Sequence, residues 1–132
     1  MCLLSACNRL DVVPETVSSE TTSSEVAVYQ KITARQAKEM MDSGKPFVLL
    51  DVRTEAEYRE SRIDGARLIP DYAISEKAAA ALQDKSALIL VYCRSGARSA
   101  TAAHALVRMG YTNVYDFGGL SGWPFETVSG PH

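Results

Sequence analysis

At 132 residues the chain is the size of one ordinary domain, long enough to bury a core and too short for two. Apolar residues make up 46% and charged residues 23%, a globular balance, and the net charge of −2 excludes the broad basic surface of a nucleic-acid binder. Its three cysteines (2, 7 and 93) and two histidines (104 and 132) lack the number and spacing of a zinc site, so neither a metal nor a cofactor is expected.

In chain order, the first signal is Leu4-Ser5-Ala6-Cys7, which resembles the lipobox of bacterial lipoproteins, where a signal peptide is cut before a cysteine that is then lipidated. A secretory signal carries a basic start and about 7 to 15 apolar residues, whereas only Met1-Cys2-Leu3-Leu4 leads into the box. Either most of a signal peptide is missing or the match is chance. From Glu15 to Glu25, seven of eleven residues are Ser or Thr and three are Glu. Such a run buries too little apolar surface to offset its ordering entropy and is expected to be a disordered tether. Residues 1–26 are therefore assigned to a signal remnant and tether. The expected location is the periplasm or cell surface of a bacterium, with membrane anchoring through Cys7; the alternative is a frayed N-terminus on a cytoplasmic protein.

The domain is expected over residues 27–128, with 129–132 as a tail. Val28 to Ile32 alternates like a short strand. Thr33 with Gln36 forms a capping box for a helix through Met41, stopped at Gly44. Phe47 to Val52 is a short apolar run, typical of a strand buried on both faces. Thr54 with Glu57 repeats the capping box, for a helix ending near Glu60. Ala66 to Ile69 reads as a strand, and Ile74 to Leu82 as an alanine-rich helix. Ala87 to Tyr92 is the second continuous apolar run. Ser99 to Met109 reads as a helix ended by Gly110, and Asn113 to Phe117 as the last strand. Strands alternating with helices predict an α/β fold of three layers, α/β/α, around a mostly parallel sheet of about five strands.

In open α/β sheets ligands bind outside the carboxyl ends of the strands, which directs attention to the segment after Tyr92. It holds Cys93, the only cysteine inside the domain, followed by Arg94, Ser95, Gly96, Ala97, Arg98 and Ser99. The thiolate is the reactive form of cysteine, and an ordinary thiol pKa of about 8.5 leaves little of it at neutral pH. A tight loop running into a helix aims backbone N–H groups and the positive helix end inward, stabilising a thiolate or an oxyanion. Gly96 lets the backbone curl closely. Arg94 and Arg98 offer forked donors for a tetrahedral oxyanion such as thiosulfate. Ser95 and Ser99 offer hydroxyls, and Ser99 is also a candidate helix cap. No general base lies near; His104, halfway along the helix, is expected to be structural or surface. The competing reading of Cys93 is an inert buried thiol.

The whole pattern resembles the rhodanese homology domain, the sulfurtransferase module. The resemblance is carried by Asp51-Val52-Arg53 with Glu57-Tyr58, by Ile63-Asp64-Gly65-Ala66 running to Ile69-Pro70, by the loop Cys93 to Ser99, and by Tyr115-Asp116-Phe117-Gly118-Gly119 with Trp123. One departure stands at Ser61-Arg62, where the family usually has glycine-histidine. The resemblance implies a thiosulfate sulfurtransferase in which Cys93 carries a persulfide. The loop from Arg94 to Ser99 would be its anion cradle, and Asp51 and Arg53 a structural pair near the loop. The implied partners are thiosulfate or a persulfide donor, then a thiol, cyanide or protein acceptor, with the protein a monomer. Trp123 is expected to be core packing.

Two other functions compete. A relative of this fold hydrolyses phosphates with an arginine six positions after its cysteine; here the arginine is five on, at Arg98, making a smaller loop. Phosphatase or arsenate chemistry is therefore disfavoured. The second is a non-catalytic sulfur-binding or protein-docking module, which fold alone does not exclude.

Overall fold

The computed structural model describes residues 28–131. The lipobox-like segment with Cys7 and the expected tether lie outside the described residues. Five strands alternate with helices: β1 Gln30–Lys31, α1 Ala34–Asp42, β2 Val48–Asp51, α2 Glu55–Glu60, β3 Arg67–Leu68, α3 Ile74–Ala81, β4 Ile89–Cys93, α4 Ala97–Arg108 and β5 Val114–Gly119. Short 3-10 turns at Asp71–Ala73 and Leu120–Gly122 follow β3 and β5. The order across the sheet is β1-β5-β4-β2-β3, and every pairing is parallel. The α/β architecture and the strand count match the sequence reading.

Both capping boxes form. Thr33 Oγ1 accepts from Gln36 N–H while Gln36 Oε1 accepts from Thr33 N–H, at 3.0 and 2.9 Å. Thr54 and Glu57 do the same at 3.2 and 3.0 Å. Each box satisfies orphan donors that the first helical turn would otherwise leave unpaired.

Strand β4 explains why the sheet is buried on both sides. All five of its residues are buried, and their side chains alternate between two cores. Ile89, Val91 and Cys93 join Ile74, Ala78, Ala103 and Leu106 under α3 and α4. Leu90 and Tyr92 join Ala37, Tyr58, Phe117 and Trp123 on the opposite face. Trp123 thus packs as expected, 5.5 Å from Phe117 and 4.9 Å from Phe125 between ring centres.

The C-terminal residues are tied in past the expected domain boundary. Val128 bridges Arg62 antiparallel, Gly130 N–H donates to Arg59 O, and Arg62 Nη1 donates to Gly130 O at 2.8 Å. Arg62, the departure from the resembled pattern, also stacks over Tyr58 at 4.6 Å. Its place is structural, closing the chain end onto α2.

Candidate active site

The loop leaves the carboxyl end of β4, the middle strand of the sheet, and returns as α4. Gly96 sits at its turning point with φ of +112°, a conformation that L side chains rarely adopt, and stands at the N-cap position of α4. The helix therefore starts at Ala97, two residues before the expected Ser99. Ser99 does not cap it, which corrects the sequence reading. The hydroxyl instead lies 2.7 Å from Asp116 Oδ1, buried, and 3.0 Å from Gly96 O. Asp116 is fully buried on β5 and also accepts from Gly118 N–H at 2.9 Å. A carboxylate so deep is held by donors, and Ser99 is one of them.

The loop amides converge on the sulfur. Gly96 N–H donates to Cys93 Sγ at 2.9 Å. Burial pushes the thiol pKa up, but the Ser99 hydroxyl and the amides of Ser99, Gly96 and Ser95 outweigh it and hold the pKa below its ordinary value. Cys93 itself is 0% exposed. The thiol thus lies enclosed by the loop, whose amides and Ser99 hydroxyl favour its ionised form.

The two arginines are placed unequally. Arg94 is 70% exposed, with Nη1 3.8 Å from Glu57. Arg98 makes a two-pronged ion pair with Glu57, at 2.8 and 3.0 Å. That pair pulls the Glu57 carboxyl from its ordinary range down to about 2, helped by the bonds from Thr54. Its span of 41 residues is invisible to local pattern, and the sequence reading, which used Glu57 as a cap and in the family resemblance, gave it no ionic partner.

Asp51 and Arg53 do pair, deep in the fold, with Arg53 Nη2 2.7 Å from Asp51 Oδ2 and Arg53 Nε 2.9 Å from Asp51 Oδ1. Burial disfavours the Arg53 charge, yet the bonds and field of Asp51 hold its pKa above the ordinary value. Arg53 Nη2 also donates to Ser61 O at 2.5 Å, so the pair clips the end of β2 to the chain after α2. Arg53 and Arg94 share a cavity of about 410 Å³ with Glu57, Ser121 and Trp123. His104 is exposed on α4, away from the loop.

Gly119, named in the sequence only as part of the family resemblance, serves close approach. Its backbone is extended, and a Cβ there would stand 2.1 Å from Arg94 O and 2.6 Å from Ser95 Cα. Ser121 N–H then donates to Arg94 O at 3.1 Å. The end of β5 is the rear wall of the loop.

A family model described as Rhodanese-like domain matches residues 33–125. The thiosulfate sulfurtransferase PspE of Escherichia coli is 37% identical over 81 residues, covering 61% of this chain and 78% of that protein. The thiosulfate sulfurtransferase GlpE of Pseudomonas aeruginosa is 31% identical, covering 77% and 94%. The adenylyltransferase/sulfurtransferase MoeZ of Mycobacterium tuberculosis is 39% identical over 70% of this chain, which spans only 24% of its length. Among solved structures, a rhodanese with anions from E. coli superposes with a TM-score of 0.61 at 35% identity, covering 64% of this chain and all of that one. The Alr3790 protein from Anabaena gives 0.70 at 28% identity, covering 76% and 94%.

Proposed function

The chain belongs to the rhodanese-like domain family, and from that premise we propose that it is a sulfurtransferase carrying sulfane sulfur as a persulfide on Cys93. The observation that carries this reading is the Gly96 N–H aimed at Cys93 Sγ from 2.9 Å, with the neighbouring amides lowering the thiol pKa. A thiol whose surroundings favour ionisation has less need of a general base, which fits the exposed position of His104 on α4.

The reaction runs in two halves. The Cys93 thiolate attacks the outer sulfur of thiosulfate. A bond forms between the two sulfurs, the bond to the sulfonate sulfur breaks, and its electron pair leaves with sulfite. The terminal sulfur of the resulting persulfide inherits the negative charge and the amide donors of the cradle. An acceptor, such as cyanide or a thiolate, then attacks that terminal sulfur and releases Cys93 as thiolate. Ping-pong kinetics follow from this order. Asp116 and Gly119 position the loop, while Asp51 and Arg53 brace the neighbouring end of β2.

The relatives named thiosulfate sulfurtransferase support thiosulfate as one donor. The Leu4-Ser5-Ala6-Cys7 sequence and the Ser/Thr/Glu run after it support anchored export through a lipidated Cys7. The chemistry is tested by mass spectrometry after thiosulfate treatment. One added sulfur on the wild type and none on Cys93→Ser is expected; an unmodified wild type refutes the persulfide.

A further inference from the structure

The arginines of the loop face an anion before any donor arrives. The Glu57 carboxylate is held from both ends. Thr54 N–H and Oγ1 lie 3.0 and 3.1 Å from Glu57 Oε1, and Arg98 fills both oxygens with its fork. Only 17% of the Glu57 side chain is exposed, and its pKa near 2 keeps it charged under all ordinary conditions. Arg94, at 3.8 Å, shares the same carboxylate. A second acidic group, Asp71, acts on Arg98 from the turn after β3. The positive charge of Arg98 is therefore largely met inside the protein, while Arg94 stays exposed at the longer distance.

Resting on the reading of Cys93 as the sulfur acceptor, we propose that Glu57 sets donor choice by charge, disfavouring doubly charged donors such as thiosulfate. The preferred class is sulfane sulfur on a neutral or singly charged organic group. The cause is Coulombic. A dianion feels twice the repulsion of a monoanion from a fixed carboxylate, and it must also displace that carboxylate to use the Arg98 fork. The half-buried setting of Glu57 makes the repulsion less screened than it would be on an open surface.

Two donors isolate this effect. Thiosulfate and methanethiosulfonate both deliver their outer sulfur to a thiolate, releasing sulfite and methanesulfinate respectively, but the second carries one charge fewer. Glu57→Gln removes the charge and keeps the helix cap, as Gln36 does in the equivalent box of α1. The expected result is a rise of about threefold or more in the ratio of kcat/KM for thiosulfate to that for methanethiosulfonate. Arg98→Gln leaves Glu57 without its fork and moves the ratio down. A purely structural role for the pair would move the ratio in neither variant, or in the same direction in both, and either result overturns the proposal. Should wild type load no sulfur on Cys93 from either donor, the underlying sulfurtransferase reading falls with it. Loading from both donors with an unmoved ratio removes the role of Glu57 alone.

Discussion

Replacing Gly119 by alanine is the sharpest probe of how the loop is held. The backbone at 119 is extended, with φ of −120° and ψ of 155°, so alanine meets no conformational penalty there. The obstacle is space alone. A Cβ would lie 2.1 Å from Arg94 O, 2.5 Å from Arg94 C and 2.6 Å from Ser95 Cα, and all three atoms are backbone. Moving from 2.1 Å to the 3.4 Å of ordinary contact shifts the loop or the end of β5 by more than 1 Å. A shift of that size breaks the bond from Ser121 N–H to Arg94 O and turns the Gly96 amide away from the sulfur. Overpacking of this kind costs about 1 to 3 kcal/mol of stability. A misplacement near 1 Å costs on the order of 100-fold in rate. The assays are urea denaturation and persulfide formation, with alkylation of Cys93 against pH. Gly122→Ala is the control, since nothing lies within 4 Å of a Cβ at that position. Gly119→Ala matching that control in stability, rate and alkylation inflection would refute the steric argument.

Three further outcomes are expected. The inflection in Cys93 alkylation should fall below the ordinary thiol value of about 8.5, so that reactivity climbs and levels off at lower pH than for a free thiol; an inflection at or above it contradicts the amide cradle. Arg53→Met leaves Asp51 buried without its guanidinium partner and should cost about 3 to 5 kcal/mol, read from the denaturation midpoint. Glu57 is depressed from 4.5 to about 2, so its pairing stabilises the fold above the first value and is lost as pH falls toward the second. Denaturation midpoints of wild type and Glu57→Gln should converge between those two pH values and stay apart at neutrality.

What was legible in the sequence was local or periodic. The two capping boxes were read residue by residue because each is closed within four positions by its own side chains. The inner strands β2 and β4 were read from unbroken apolar runs, because a parallel strand covered on both faces has no polar side. What escaped was decided by contacts between distant segments. Ser99 has the chemistry of a helix cap, yet Asp116, 17 positions away, takes its hydroxyl, while the turn at Gly96 starts the helix early. Gly118 and Gly119 look alike in sequence. One has φ of +90° and the other is extended, and only the loop packed behind them reveals that the second is kept small for clearance. The ionic partner of Arg98 lay equally far off, on α2.

The closed seat of Cys93 also bears on its survival. Disulfide exchange needs the incoming sulfur to line up with the bond it breaks, which takes unobstructed room around the attacking thiolate. A peptide disulfide is too bulky for a site with no water-accessible surface, and an ion of five heavy atoms needs far less room. Burial of this sort favours small carriers of sulfur over protein disulfides as reaction partners of Cys93.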